Sequence, residues 1–165
     1  MKKTFSVLFV CTGNTCRSPM AEAILKAELA GEQAAGDDAM VRVSSAGLDT
    51  GPRDAVSREA VAAIKRLGLK MERRSARRLT VELIRRADLV LTMTHSQRER
   101  IGDRWPGALE KTFVVSEFSG SGRSGIQDPI GGSERVYSGC ARQLVAEIRK
   151  LLPHLRRLKE RRVSR

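Results

Sequence analysis

The chain has 165 residues, of which 31 are Lys or Arg against 19 Asp or Glu, a formal charge of +12. That length bounds the protein to one domain, 1–165, with a real core, and the absence of any run of about 18 apolar residues predicts no membrane span. The charge raises nucleic acid as a partner, but aromatic residues make up only 4% of the chain and no stacking motif or recognition helix is apparent, so a basic nucleic-acid or phosphoprotein binding module is the weaker alternative and attraction for acidic, phosphorylated partners the milder implication.

The start, Met1-Lys2-Lys3 followed by TFSVLFVC, mimics a lipoprotein signal. Its apolar part is short, Val10 is not the small residue a cleavage site prefers, and Phe5 to Val10 explains itself as a buried, β-branched-rich first strand, so a cytoplasmic chain is expected. Cys11 then stands at the carboxyl end of that strand. Gly13 and Asn14 tolerate left-handed backbone, so the chain after Cys11 can curl until its amide N–H groups point inward, an anion nest. Ser18 reads as an N-cap and Pro19 as the first helical residue, closing the nest on a helix N-terminus that favours negative charge. The pocket suits a phosphate-like dianion. Arg17, six positions beyond Cys11, supplies a planar fork for two of its oxygens. Inward amides, a helix N-terminus and a guanidinium are expected to lower the Cys11 pKa into the range of roughly 3.5 to 7.5 and make it a thiolate nucleophile.

The helix continues over Ala21 to Leu29, and Gly31 to Asp38 is a polar connection. Val41 to Ser45 alternates as a second strand. Ala55 to Leu67, apolar at Val56, Ala60, Ala63, Ile64 and Leu67, is an amphipathic helix stopped by Gly68. A short helix capped by Thr80 runs to Arg86, followed by a buried strand at Leu89 to Met93, a short helix at Ser96 to Ile101 and a fourth strand at Thr112 to Val115. The last helix begins near Ser133 with its stripe at Tyr137, Cys140, Leu144, Ile148, Leu151 and Leu155; Pro153 is expected to kink or end it, leaving about 154–165 as a frayed basic extension. Strands alternating with helices predict an α/β fold with a four-stranded parallel sheet, helices on both faces and the phosphate loop after the first strand. Ligands in such sheets bind beyond the carboxyl ends of the strands, where Cys11, Ser45, Thr94 and the loop after Val115 emerge.

That last loop, Glu117 to Pro129, is rich in Gly and Ser and ends in Asp128 held before a rigid proline, so it can deliver a carboxyl group to the pocket. Three cysteines and two histidines make neither a disulfide scaffold nor a metal site, and no cofactor is implied. Cys16 shares the curled loop with Cys11; it either forms a reversible disulfide with it or serves packing. Cys140 reads as core.

The stretch VLFVCTGNTCRSPMAE resembles the signature of the low-molecular-weight protein tyrosine phosphatase family, and more closely its bacterial protein arginine phosphatase branch, whose loop reads CTGNTCRSPMAE. The likeness continues at Ser45-Ala46-Gly47, at ADLVLTMTH (Ala87 to His95) and at DPIGGS (Asp128 to Ser133). The resemblance implies a cytoplasmic hydrolase, a protein phosphatase with a phosphocysteine intermediate: Cys11 as nucleophile, Arg17 and the loop Thr12, Gly13, Asn14, Thr15, Cys16 and Ser18 as the phosphate cradle, and Asp128 as acid and then base. Asn14 and Ser18 resemble the residues that stiffen the loop and hydrogen-bond the thiolate. Phosphorylated proteins are the implied partners, with phosphoarginine the leading substrate and phosphotyrosine the alternative. Phosphotyrosine pockets in the family have aromatic walls at positions read here as Leu48 and Ile130, which leaves Tyr137 and Phe118 to contribute from the rim, and the arginine branch carries Thr where the tyrosine branch usually has Ile, as at Thr15. Arg74 stands near a place where many members have a His linked to the loop network. The cysteine pair that a thioredoxin-linked arsenate reductase needs near residues 80 to 95 is absent.

Overall fold

Alternation in the first strand sets the layers. In a computed structural model that describes residues 4–34, 40–122 and 125–164, β1 (Thr4–Cys11) directs Phe5, Val7, Phe9 and Cys11 into one apolar core and Leu8 and Val10 into another, as a period of two requires when both faces are covered. The chain then runs through α1 (Arg17–Ala34), β2 (Met40–Gly47), α2 (Arg58–Arg66), α3 (Val81–Arg86), β3 (Leu89–Thr92), α4 (His95–Arg104), a 3-10 helix (Pro106–Lys111), β4 (Thr112–Val114), α5 (Val115–Phe118) and α6 (Glu134–Val163). The sheet is parallel throughout, in the order β2-β1-β3-β4. Met20 and Ile24 of α1, Ala60 and Ile64 of α2 and Leu144 and Ile148 of α6 fill the first core, and Ile84 of α3 and Ile101 of α4 the second. No helix among the described residues is long and apolar enough to cross a membrane.

Several element boundaries shift by a residue or a few from expectation, and four of the differences have a readable physical reason. Helix α1 begins at Arg17, ahead of Ser18; the Ser18 hydroxyl is turned to the Cys11 sulfur and the Asn14 amide instead of capping the helix. The same helix continues through Gly31 to Ala34, so the polar connection is shorter than Gly31 to Asp38, and residues 35–39 of it lie outside the described residues. Helix α2 starts at Arg58, because Ser57 accepts from the Ala60 N–H as its cap while Ala55 bridges to Ser75.

The fourth difference is Pro153, which neither ends α6 nor leaves a frayed tail: the helix runs on to Val163 with the proline inside it. An interior proline costs about 3 kcal/mol. Leu151, Leu152 and Leu155, all buried against the first core, each return about 1.5 to 3 kcal/mol, and Lys159 is buried beyond them. Arg162 ties the final turns to Asp88, just ahead of β3. Leu155→Ala is expected to lower the unfolding free energy by about 2 to 4 kcal/mol in urea titrations; a loss below about 0.5 kcal/mol, the range of ordinary surface changes, would mean the turns past Pro153 pack on nothing.

Candidate active site

Cys11 ends β1, and the curl after it is fixed by Asn14, the one non-glycine among the described residues with positive φ, at 54°. The left-handed turn brings the Asn14 N–H to 3.2 Å from the Cys11 sulfur, and the Ser18 oxygen lies 2.9 Å from the same sulfur. The Asn14 amide nitrogen donates to Ser18 Oγ at 2.8 Å, and the Ser18 hydroxyl has the Cys11 sulfur at 2.9 Å and the Ala46 carbonyl at 3.5 Å as its other partners. Gly47, at the end of β2, makes room for the curl: a Cβ there would stand 2.8 Å from the backbone of both Gly13 and Asn14.

Behind the loop a polar network is built on the buried Asn14 and Ser45 and reaches the part-exposed Arg74. Asn14 Nδ2 also donates to Ser45 Oγ, and Asn14 Oδ1 accepts from the Arg77 N–H at 2.9 Å and from Arg74 at 3.2 Å. Arg74 reaches on to Glu22 at 2.9 Å and Ser45 at 2.8 Å, and Ser45 donates to Glu22 at 2.6 Å. Arg74 thus does link to the phosphate loop, as a charged strap. Glu22 carried no sequence signal beyond its place one turn after Ser18. Gln97 was missed as well, although Thr94-x-x-Gln97 is a readable capping box; its amide donates to Thr12 Oγ1 at 3.1 Å while its oxygen accepts from the N–H groups of Met93 and Thr94.

Arg17 is buried and grips the loop that carries Asp128. One nitrogen donates to the Ile126 carbonyl at 3.0 Å and another to Asp128 Oδ2 at 3.1 Å, while the Ile130 N–H holds the other carboxylate oxygen at 3.2 Å. That loop is pinned to the end of β3, where Ile126 N–H donates to the Met93 carbonyl. Gly125, at φ 124°, lies so close that a Cβ would come within 2.6 Å of that carbonyl. Cys11, Arg17 and Asp128 therefore converge at the carboxyl ends of β1 and β3. Thr15 sits on the loop with its carbonyl accepting from Ser57 N–H and its hydroxyl 3.5 Å from the Cys16 sulfur.

Cys16 is buried among Thr15, Ser57 and the Tyr137 hydroxyl, 3.4 Å away, and burial together with that thiol contact raises the Tyr137 pKa. Cys140 is core, its thiol pushed up to about 12 by burial. The specificity wall needs correction at Leu48. The backbone continues strand-like past Ala46, with the Leu48 N–H on the Cys11 carbonyl and the Asp49 N–H on the Thr12 carbonyl, so alternation turns Leu48 into the second core, 1% exposed, and turns Asp49 outward. Ile130 is at the surface, 68% exposed, next to Asp128. Neither aromatic candidate reaches the rim: Tyr137 is buried under the loop and Phe118 packs on Phe113 and His154.

A family model described as low molecular weight phosphotyrosine protein phosphatase matches residues 6–163. The chain is 36% identical over 151 residues to a protein-arginine-phosphatase of Bacillus subtilis, covering 92% of this chain and 97% of that protein. It is 34% identical over 124 residues to a low molecular weight protein-tyrosine-phosphatase of Acinetobacter johnsonii, covering 75% and 79%. Among solved structures, a Cys-to-Ser mutant of the arginine phosphatase YwlE with a phosphorylated active-site serine superposes with a TM-score of 0.84 at 34% identity, covering 93% of this chain and 99% of that one.

The strap behind the loop has a pH signature. Burial alone would raise the Glu22 carboxyl, but hydrogen bonds from Lys26 and Ser45 and the charges of Lys26 and Arg74 outweigh it and hold the group below its ordinary value of 4.5. A carboxyl lowered on folding contributes stability that is present above its unfolded pKa and is lost as pH falls through the folded one. Glu22→Gln is accordingly expected to flatten the loss of urea stability as pH drops below 4.5; an unchanged acid slope would show that the strap does not stabilise the fold.

Proposed function

The chain belongs to the low molecular weight phosphotyrosine protein phosphatase family, and from that premise we propose that it is a bacterial, cytoplasmic phosphatase that hydrolyses phosphoarginine in proteins through a phosphocysteine on Cys11. The observation that carries the catalytic part is the convergence on one sulfur of two hydrogen bonds, one donated by Asn14 N–H and one shared with the Ser18 hydroxyl, with Arg17 and Asp128 clasped beside it. The phosphorylated serine in the YwlE mutant supports a phosphoryl group carried on the nucleophile's side chain. Free thiols at Cys11, Cys16 and Cys140 suit a reducing cytoplasm.

In the first step Cys11 Sγ attacks phosphorus and the P–N bond breaks, with Asp128 giving its proton to the departing arginine nitrogen. In the second, Asp128 takes a proton from water as that water attacks phosphorus, and the S–P bond breaks to release phosphate. The guanidinium of Arg17 has five N–H donors, only some of which are used by Ile126 and Asp128, so others remain for the phosphoryl oxygens beside the loop amides Thr12 to Cys16. Binding of phosphate or a similar oxyanion in the same cradle follows from the same donors.

Phosphoarginine is favoured over phosphotyrosine by what surrounds the cradle. Ring stacking is worth about 0.5 to 1.5 kcal/mol beyond burial, and the two aromatic candidates for the rim are engaged elsewhere. The polar Thr15 suits a planar, polar leaving group, and Asp128 stands where it can protonate a bridging nitrogen. The kinship with the Bacillus protein-arginine-phosphatase points the same way.

Competing phosphoarginine and phosphotyrosine peptides of one sequence test the assignment: a higher kcat/KM on phosphoarginine is expected, and a preference for phosphotyrosine would transfer the protein to the tyrosine branch. Asp128→Ala is expected to lower kcat on the phosphoarginine peptide by about 10²- to 10⁴-fold, and less on p-nitrophenyl phosphate, whose leaving group needs no proton. Equal losses on the two substrates would restrict Asp128 to shaping its loop.

A further inference from the structure

Asp49 takes the outward-facing position beside Leu48. Its backbone is tied to Thr12, the residue after the nucleophile, and its carboxylate faces outward, 58% exposed. Its place in the sheet is fixed by strand order: Asp49 follows β2 on one side of β1, and the Asp128 loop is pinned to β3 on the other. Cys11, at the end of β1, lies between two carboxylates carried by different loops.

The Asp49 carboxylate already holds a guanidinium. A single nitrogen of Arg100, from α4, lies 2.8 Å from both of its oxygens. The same helix presents Gln97 to Thr12 one turn earlier, so α4 reaches across the front of β1 at two successive levels, the first fixing the loop and the second meeting the rim. A carboxylate has about four acceptor sites, and one shared Arg100 nitrogen leaves some of them open.

We propose that Asp49 is a specificity residue, an anionic rim that selects the cationic guanidinium of phosphoarginine over a neutral phosphorylated ring, with Arg100 partly neutralising it. The inference rests on the phosphoarginine reading and names a residue through which that preference is exerted. Its size is bounded by exposure. A solvated charge pair contributes about 0.2 to 1 kcal/mol, so the discrimination it supplies is a few-fold and sensitive to salt.

The readout is the ratio of kcat/KM for a phosphoarginine peptide to that for the matching phosphotyrosine peptide, in wild type, Asp49→Asn, Asp49→Glu, Asp49→Lys and Arg100→Gln. Asp49→Asn is expected to lower the ratio roughly 2- to 5-fold and the charge reversal Asp49→Lys by roughly the square of that factor. The conservative Asp49→Glu should keep the ratio near wild type, Arg100→Gln should raise it, and added salt should reduce the wild-type ratio. A merely structural Asp49 would change both substrates together and leave the ratio where it was, which overturns the inference while the phosphoarginine reading stands. A wild-type preference for phosphotyrosine would overturn that reading and this inference with it.

Discussion

Asn14 holds the active loop together in a backbone conformation that side chains other than glycine seldom adopt. Its φ of 54° turns its own N–H onto the Cys11 sulfur, and left-handed backbone at a non-glycine residue persists only when its surroundings over-determine it. They do so here through the amide side chain, fully buried, which donates to Ser18 and Ser45 and accepts from Arg74 and the Arg77 N–H. Asn has two donors and an acceptor oxygen in one planar group. Glycine could take the turn but could not hold it.

A second consequence of that network concerns the charge. The Arg73 to Arg78 segment is tied to the loop mainly through its backbone and Arg74: Arg74 straps Glu22 and Ser45, the Arg77 N–H donates to Asn14, and Gly47 bridges to Arg78, while the Arg73, Arg77 and Arg78 side chains lie exposed. On the opposite side Arg17 joins the curled loop to the segment carrying Asp128, through Ile126 and the Asp128 carboxylate. Both loops are therefore referred to the same rigid sheet ends, which is how a reaction needing sub-ångström placement is built from irregular segments.

The parts legible in the sequence were those with local causes. Phe5 to Val10 is apolar enough to be buried on both faces, Gly13-Asn14 permits a curl, and Cys11 and Arg17 bracket it; the parallel sheet follows from the alternation of strands and helices. What escaped depends on contacts distant in sequence or on a register of one residue. Leu48 stands at the pocket wall only by resemblance to the family; strand-like pairing carried on past Gly47 sends its side chain into the second core and leaves Asp49 facing outward. Pro153 read as a helix end because the proline rule is local, whereas the leucines that keep the helix going answer to a core built from α1 and β1. Ser18 has the composition of a cap, but a thiol seven residues away competes for its hydroxyl.

Passage of the phosphoryl group through Cys11 is open to rapid-quench mass spectrometry of a single turnover with a phosphoarginine peptide. The expected result is a transient phosphoryl adduct on the peptide containing Cys11, formed as free arginine peptide appears and decaying as phosphate is released. Turnover of the same peptide with Cys11 unmodified at every time point, and the phosphoryl group going straight to water or appearing on another side chain, would contradict it.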